Sequence, residues 1–208
     1  MSASAPAVAG VRIPGQRSVR DLRGRRGHTP RRLAFAAGDL VVLSGLPGSG
    51  KSTLMRRAVT EVRIDSQDTR ERWAARMPRF LPYALYRPLV RIAHYAGLRR
   101  AMRSGASVVV HDCGTQAWVR RWVIRTARRR GVAVHLMLLD VPEDTALDGQ
   151  RERGRGVSRY AFARHRRAVG ALVSSTERGE LPAGMASAVL LDRAATEALG
   201  GITFGDGR

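Results

Sequence analysis

Residues 45–52 read Gly45-Leu46-Pro47-Gly48-Ser49-Gly50-Lys51-Ser52, a stretch that satisfies G-x-x-x-x-G-K-[ST] at every fixed position. The run before it, DLVVL at 39–43, is short and β-type and is followed by Ser44; the run after it, STLMRRAV at 52–59, suits a helix. Strand, glycine-rich loop and helix thus follow in the order that a phosphate-cradling loop requires. Glycines let such a backbone fold tightly round an anion with its N–H groups inward, and the new helix brings its positive end to the same point. Lys51 is placed to reach the β- and γ-phosphates of a nucleoside triphosphate, and Ser52 to offer a hydroxyl to Mg²⁺. The expected ligand is Mg-ATP, held by Gly45, Leu46, Pro47, Gly48, Ser49, Gly50, Lys51 and Ser52, with Thr53 next in the helix.

A chain of 208 residues, 44% of them hydrophobic, supports one domain with its own core. Its longest apolar stretch, 132–141, is interrupted by His135 and is about half of what a bilayer crossing needs, so no membrane span is expected. The opening MSASAPAVAG has no charged segment ahead of its apolar residues, unlike a secretory leader, and a single cysteine, Cys113, can form no internal disulfide. Both features point to the cytoplasm. The charge balance is extreme, with 37 basic against 17 acidic residues and a net +20, a field that attracts nucleic acid or phosphorylated ligands. Yet 36 of the 37 are arginine and Lys51 is the only lysine, a skew of the kind coding bias produces, so many arginines are expected simply to solvate helix faces. Aromatic residues make up 5% and do not interleave with the arginines, which leaves no base-stacking motif.

Residues 1–36 hold eight arginines and one aspartate with Pro, Gly and Ser between them and no apolar period, which predicts a disordered basic arm, and the folded domain is expected over 37–204. Within it, β-type runs recur at 39–43, 62–64, 107–110, 132–139 and 188–191, separated by helical segments. In one of these, Trp118, Val119, Trp122, Val123 and Thr126 share a face while Arg120, Arg121, Arg125, Arg128 and Arg129 lie opposite. Pro88 can open a helix that runs to Arg103 and ends at Gly105. This alternation predicts an α/β fold of three layers, a five-stranded parallel sheet with helices on both faces and ligands at the carboxyl ends of the strands.

Four segments fall at those strand ends. After the second run comes Ile64-Asp65-Ser66-Gln67-Asp68-Thr69-Arg70, and after the third His111-Asp112-Cys113. After the fourth and its helix comes Gln150-Arg151-Glu152-Arg153-Gly154-Arg155-Gly156, and after the fifth Asp192-Arg193. Together with the 45–52 loop, the arrangement over residues 38–195 resembles the P-loop kinases of the polynucleotide kinase, zeta toxin, adenylylsulfate kinase and chloramphenicol phosphotransferase group. The resemblance implies the P-loop NTPase fold and transfer of the ATP γ-phosphate to a hydroxyl. The 64–70 segment is similar to the L-D-G-D-N-V-R of adenylylsulfate kinases, with Asp65 and Arg70 in matching places, which implies an aspartate that activates the acceptor hydroxyl and an arginine that steadies the acceptor or the transferring phosphate. Counted back from Arg70, the position that often carries the base in polynucleotide kinases is Gln67, which cannot accept a proton at neutral pH. That leaves Asp65 or Asp68 as the base, and Asp68 also reads as the N-cap of a helix over 69–76.

By the same resemblance Asp112 holds a Mg²⁺-bound water or the acceptor; read from its residues alone it could equally cap a helix starting near Thr115. His111 and Cys113 beside it have no partner spacing and read as packing residues. Arg151, Arg153 and Arg155 resemble the lid of this group, whose guanidinium forks match phosphate oxygens, and Gly154 and Gly156 supply hinge freedom. The resemblance implies that Asp192-Arg193 falls at the adenine-side loop; read from its residues alone, Asp192 could equally be a helix cap. The expected function is a kinase for a hydroxyl on a small molecule, nucleotide or nucleic-acid end, with the positive field favouring an anionic acceptor whose pocket is built largely by 69–103. The alternatives are an ATP-binding or ATP-hydrolysing switch without an acceptor, for which Gln67 speaks, and an ATP-regulated protein that binds nucleic acid through its arginine-rich surface.

Overall fold

Each apolar run becomes a strand, and all but the edge run at 62–64 are buried on both faces, which is why they show no polar alternation. The computed structural model describes residues 11–12, 18–25, 27–78, 80–111, 117–152 and 157–205. The chain runs β1 (Val11–Arg12), β2 (Ser18–Asp21), β3 (Arg32–Phe35), β4 (Leu40–Gly45), α1 (Lys51–Ala58), β5 (Val62–Ile64), α2 (Ser66–Ala74), α3 (Tyr83–Arg103), β6 (Val108–His111), α4 (Ala117–Arg130), β7 (Val134–Leu139), α5 (Glu143–Arg151), α6 (Arg159–Glu177), β8 (Ser187–Leu191), α7 (Arg193–Ala198) and β9 (Gly201–Phe204). The main sheet is parallel throughout, in the order β2-β8-β7-β4-β6-β5. The loop-bearing strand β4 is therefore interior, hydrogen-bonded on both sides, and its carboxyl end is the most rigid place in the sheet to hang a ligand site.

Alternate side chains divide the core in two. Leu40, Val42, Val108, Val110, Leu136, Leu138 and Leu190 face α3, α4, α5 and α6. Val41, Leu43, Val109, Met137, Leu139 and Val189 face α1, α7 and a second, three-stranded sheet, β1-β3-β9. The three layers are as expected, but the main sheet has six strands rather than five. The sixth, β2, comes from the predicted disordered arm: Ser18–Asp21 pairs along β8, and Arg32–Phe35 pairs with β9. Leu22, Leu33 and Phe35 are buried at 2% exposure or less, so the folded unit begins before residue 37. The strand SVRD is hidden from pattern reading because an edge strand tolerates charge.

Two helix boundaries also differ from expectation. Pro88 lies inside α3, whose first turn is set instead by Pro82 at the N-cap. Helix α2 starts at Ser66 with Asp65 as its N-cap, accepting from Gln67 N at 2.9 Å, so the capping role expected of Asp68 belongs to Asp65. At the opposite end of the sheet, the His135 that interrupts the longest apolar run is fully buried: its Nε2 donates to Asp39 Oδ2 at 2.9 Å and its Nδ1 accepts from Ser187 Oγ at 2.7 Å. The polar break in the run is satisfied internally, as burial demands.

Candidate active site

The 45–52 loop leaves β4 at Gly45 and enters α1 through Gly50, whose φ of 92° is open to glycine and strained for other residues. Gly50, the N-cap of α1, offers no side chain to cap the helix, whose positive end faces the loop. Lys51 is 4% exposed, and its Nζ donates to the carbonyls of Gly45 at 2.8 Å and Leu46 at 2.5 Å and lies 3.3 Å from Ser49 Oγ. The ammonium is thus held on the loop itself, where an anion bound to the loop would meet it. From behind, α5 braces the turn: a Cβ on Gly48 would run into the Ala146 carbonyl oxygen, and one on Gly149 would meet Gly48 O at 2.5 Å. Gln150, 6% exposed, ties the two together, donating from Nε2 to Pro47 O at 3.2 Å and accepting at Oε1 from Val157 N at 3.0 Å.

The loop opens on a cavity of 310 Å³. Its near wall is the loop with Lys51 and Ser52; its far wall comes from α2, α3 and α6. The residues after β5 and β6 meet here. Asp65, 2% exposed, lies 3.0 Å from His111 Nδ1, which donates to its Oδ1, and His111 Nδ1 is also 3.2 Å from Ser66 Oγ. Burial pushes the Asp65 carboxyl upward, yet the hydrogen bond and charge of His111, the neighbouring Ser52 hydroxyl and the Gln67 N–H hold it well below the usual carboxylate range. Its Oδ2 is buried with no hydrogen-bond partner among the described residues. Ser66 and His111 line the 310 Å³ cavity, whereas Asp65 lines its neighbour on the other side of α2. His111, expected to be a packing residue, is thus the partner that holds Asp65.

His94, on α3, shares both cavities. Burial first and the charge of His111 second push its pKa from 6.5 down to about 4, with Asp65 opposing. The unfolded chain takes up this proton near 6.5 and the folded chain only near 4, so the stabilisation is complete above 6.5 and is lost as pH falls from 6.5 towards 4. The loss amounts to about 3 kcal/mol. Asp65, whose carboxyl is also held low, loses its contribution in the same direction but only below its ordinary 3.8, and so does not enter this window. Thermal melts between pH 7 and 4.5 should show the midpoint falling in the wild type and a distinctly flatter profile in His94→Phe; equal slopes would reject the assignment.

The remaining expected residues separate. Arg70 reaches the cavity, its guanidinium 4.0 Å from the centre of the Tyr83 ring. Asp68 points elsewhere, 3.3 Å from Arg63 and 3.9 Å from Arg56. Arg151, at the end of α5, is exposed and pairs with Asp148 at 2.7 Å. Asp112, Cys113, Arg153 and Arg155 lie outside the described residues. Ser158 caps α6 and Asp192 caps α7. Thr53 and Arg193 line a third cavity of 220 Å³ between α1, α5 and α7, on the other side of the loop. Pattern reading assigned no functional role to His94, His111, Gln150 or Tyr83; the available signal was that His111 and Gln150 open two of the segments singled out at strand ends.

The residues present fit a magnesium ion: Ser52 has a hydroxyl beside the phosphate loop, and the orphaned Oδ2 of the ionised Asp65 is suited to a metal-bound water. Among the described residues no group of three His, Cys, Asp or Glu side chains is placed to chelate a metal by itself, and none of the helices is long and apolar enough to cross a membrane.

The AAA domain family matches residues 40–177. No curated protein sequence matches the chain. Among solved structures, a candidate kinase from Chloroflexus aurantiacus J-10-fl superposes with a TM-score of 0.51 at 15% identity, over 76% of this chain and 87% of that one. Shikimate kinase from Acinetobacter baumannii, in complex with shikimate, gives 0.44 at 14% identity over 76% and 88%. The adenylylsulfate (APS) kinase of Mycobacterium tuberculosis, in complex with AMPPNP and APS, gives 0.39 at 18% identity over 78% and 94%.

Proposed function

The chain belongs to the AAA domain family, and from that premise we propose that it is a kinase, binding Mg-ATP on the 45–52 loop and transferring the γ-phosphate to a hydroxyl of an acceptor held between the loop and α2, α3 and α6. The observation that carries this reading is the extent of the cavity beyond the loop. The loop lysine stands at one wall of a 310 Å³ cavity whose other wall is built by separate helices, room that a nucleotide switch without an acceptor does not need. Phosphoryl transfer asks little covalent chemistry of the protein; positioning and charge do most of the catalysis.

In this reading the loop amides and Lys51 Nζ orient the triphosphate, Ser52 and Asp65 hold the magnesium and one of its waters, and Arg70 lies on the acceptor side. The ion, when bound, neutralises charge on the β- and γ-phosphate oxygens. Asp65 is a positioning residue rather than the proton acceptor first expected of it, since it does not line the acceptor cavity and its carboxyl is held acidic by His111. A loose transition state releases the hydroxyl proton late, so a strong base is not required.

Lys51→Ala should lower ATP affinity at least tenfold, about 1.4 kcal/mol, in a protein that still melts cooperatively. Titration calorimetry reads this directly, and unchanged affinity in the folded variant would remove the loop as the site.

A further inference from the structure

The 310 Å³ cavity differs from its neighbours in charge. Among the described residues it is lined by Lys51, Arg70, Arg91, His94, His111 and His165 and by no aspartate or glutamate. A general surplus of arginine does not produce this. The cavity across α2 also has two arginines, Arg63 and Arg72, but with four acids, Glu61, Asp65, Asp68 and Glu71. The cavity against α7 pairs Arg57 and Arg193 with Asp148, Glu152 and Glu197. What sets the first cavity apart, among the described residues, is a lining of basic side chains without a carboxylate.

Lys51 accounts for the nucleotide side. Arg70, Arg91 and His165 come from α2, α3 and α6, across the cavity from the loop. Neither Arg70 nor Arg91 has a carboxylate within ion-pair distance among the described residues; Arg70 is steadied instead by the face of Tyr83. Arginine forks donate in pairs to planar or tetrahedral oxyanions; Arg91 is exposed and Arg70 half-buried, and a neutral acceptor would leave both forks to water.

Resting on the kinase reading, we propose that the acceptor is a small hydroxyl compound that itself bears an oxyanion, a phosphate or a carboxylate, seated on Arg91 and Arg70 with Tyr83 beside it. The charged group anchors the molecule at the far wall and leaves its hydroxyl turned towards the loop.

The test begins with the full chain saturated with Mg-AMPPNP, so that the phosphate loop is filled, titrated with inorganic phosphate in a calorimeter. Phosphate should bind, at least tenfold more weakly in Arg91→Ala, and without change in Arg99→Ala, which removes an exposed arginine of the same helix outside the cavity. Absence of binding, equal binding in Arg91→Ala, or an equal loss in Arg99→Ala overturns the subsite. Matched acceptors then separate the sources of charge: glycerol against glycerol 3-phosphate and glycerate, and ribose against ribose 5-phosphate, each with radiolabelled ATP. Label should enter charged members and not neutral ones, and the phosphate and carboxylate arms show which oxyanion is read. Equal labelling of neutral members overturns the inference while leaving the kinase reading in place. Failure of Mg-AMPPNP to bind, or phosphate binding with no transfer to any acceptor, counts against the kinase reading instead.

Discussion

Deleting residues 1–34 is expected to leave a chain that does not fold. The deletion removes β2 from the main sheet and most of β3 from the second, and with them Leu22 and Leu33, each at most 2% exposed, while Phe35 loses its strand. Large-to-small changes at such positions cost about 2–5 kcal/mol for each leucine, together on the order of 4–10 kcal/mol, which is comparable to the whole stability of an ordinary domain. The lost segment also carries polar ties to the ligand end of the sheet. Arg23 bridges Asp21, Asp140 and Glu177 at 2.7, 2.6 and 2.8 Å, and Gly24 N donates to Asp192 Oδ2 at 2.8 Å. Circular dichroism and a thermal melt decide the matter: a cooperative transition with ATP binding retained would show that these strands are dispensable.

Asp65→Asn should reduce phosphoryl transfer about 100-fold with little change in fold or ATP affinity, an effect between that of a ligand's supporting partner and that of a positioned acid–base group. An asparagine oxygen can still accept from Gln67 N, so the cap of α2 survives. What disappears is the negative charge between His111 and Ser52. The loss should therefore fall on kcat and leave the KM for ATP near its wild-type value. Asp68→Asn is the contrast. Its partly exposed pairs with Arg63 and Arg56 are worth about 0–1 kcal/mol, and turnover should hold. A larger effect from Asp68 than from Asp65 would reverse the assignment.

The arginine-rich composition takes a different meaning in the structure. Arg130 donates to the carbonyls of Gly38, Gly105 and Ala106 at 2.9, 2.6 and 3.0 Å, and Arg57 to those of Thr196 and Leu199 at 2.6 and 3.1 Å. With Arg23, these side chains close loops and helix ends rather than offer a basic surface, so net charge alone is weak support for a nucleic-acid-binding role.

The fold and the phosphate loop were legible in the sequence because both depend on local rules. Strands buried on both faces must be continuously apolar, and a loop that wraps an anion must place glycines and a lysine at set intervals. The 45–52 motif and the β-type runs at 39–43, 62–64, 107–110, 132–139 and 188–191 therefore determined the parallel α/β architecture by themselves. Tertiary structure decided what depends on distant partners. SVRD at 18–21 is a strand only because β8 offers it an edge, and no local pattern records that. Asp65 and Asp68 are alike in sequence; their roles divide because His111, 46 residues away, approaches one and Arg63 the other. The charge of the 310 Å³ cavity is likewise a sum over α2, α3 and α6, whose arginines and histidines resemble the rest of a basic chain until packing gathers them round one space, with no carboxylate among its described lining.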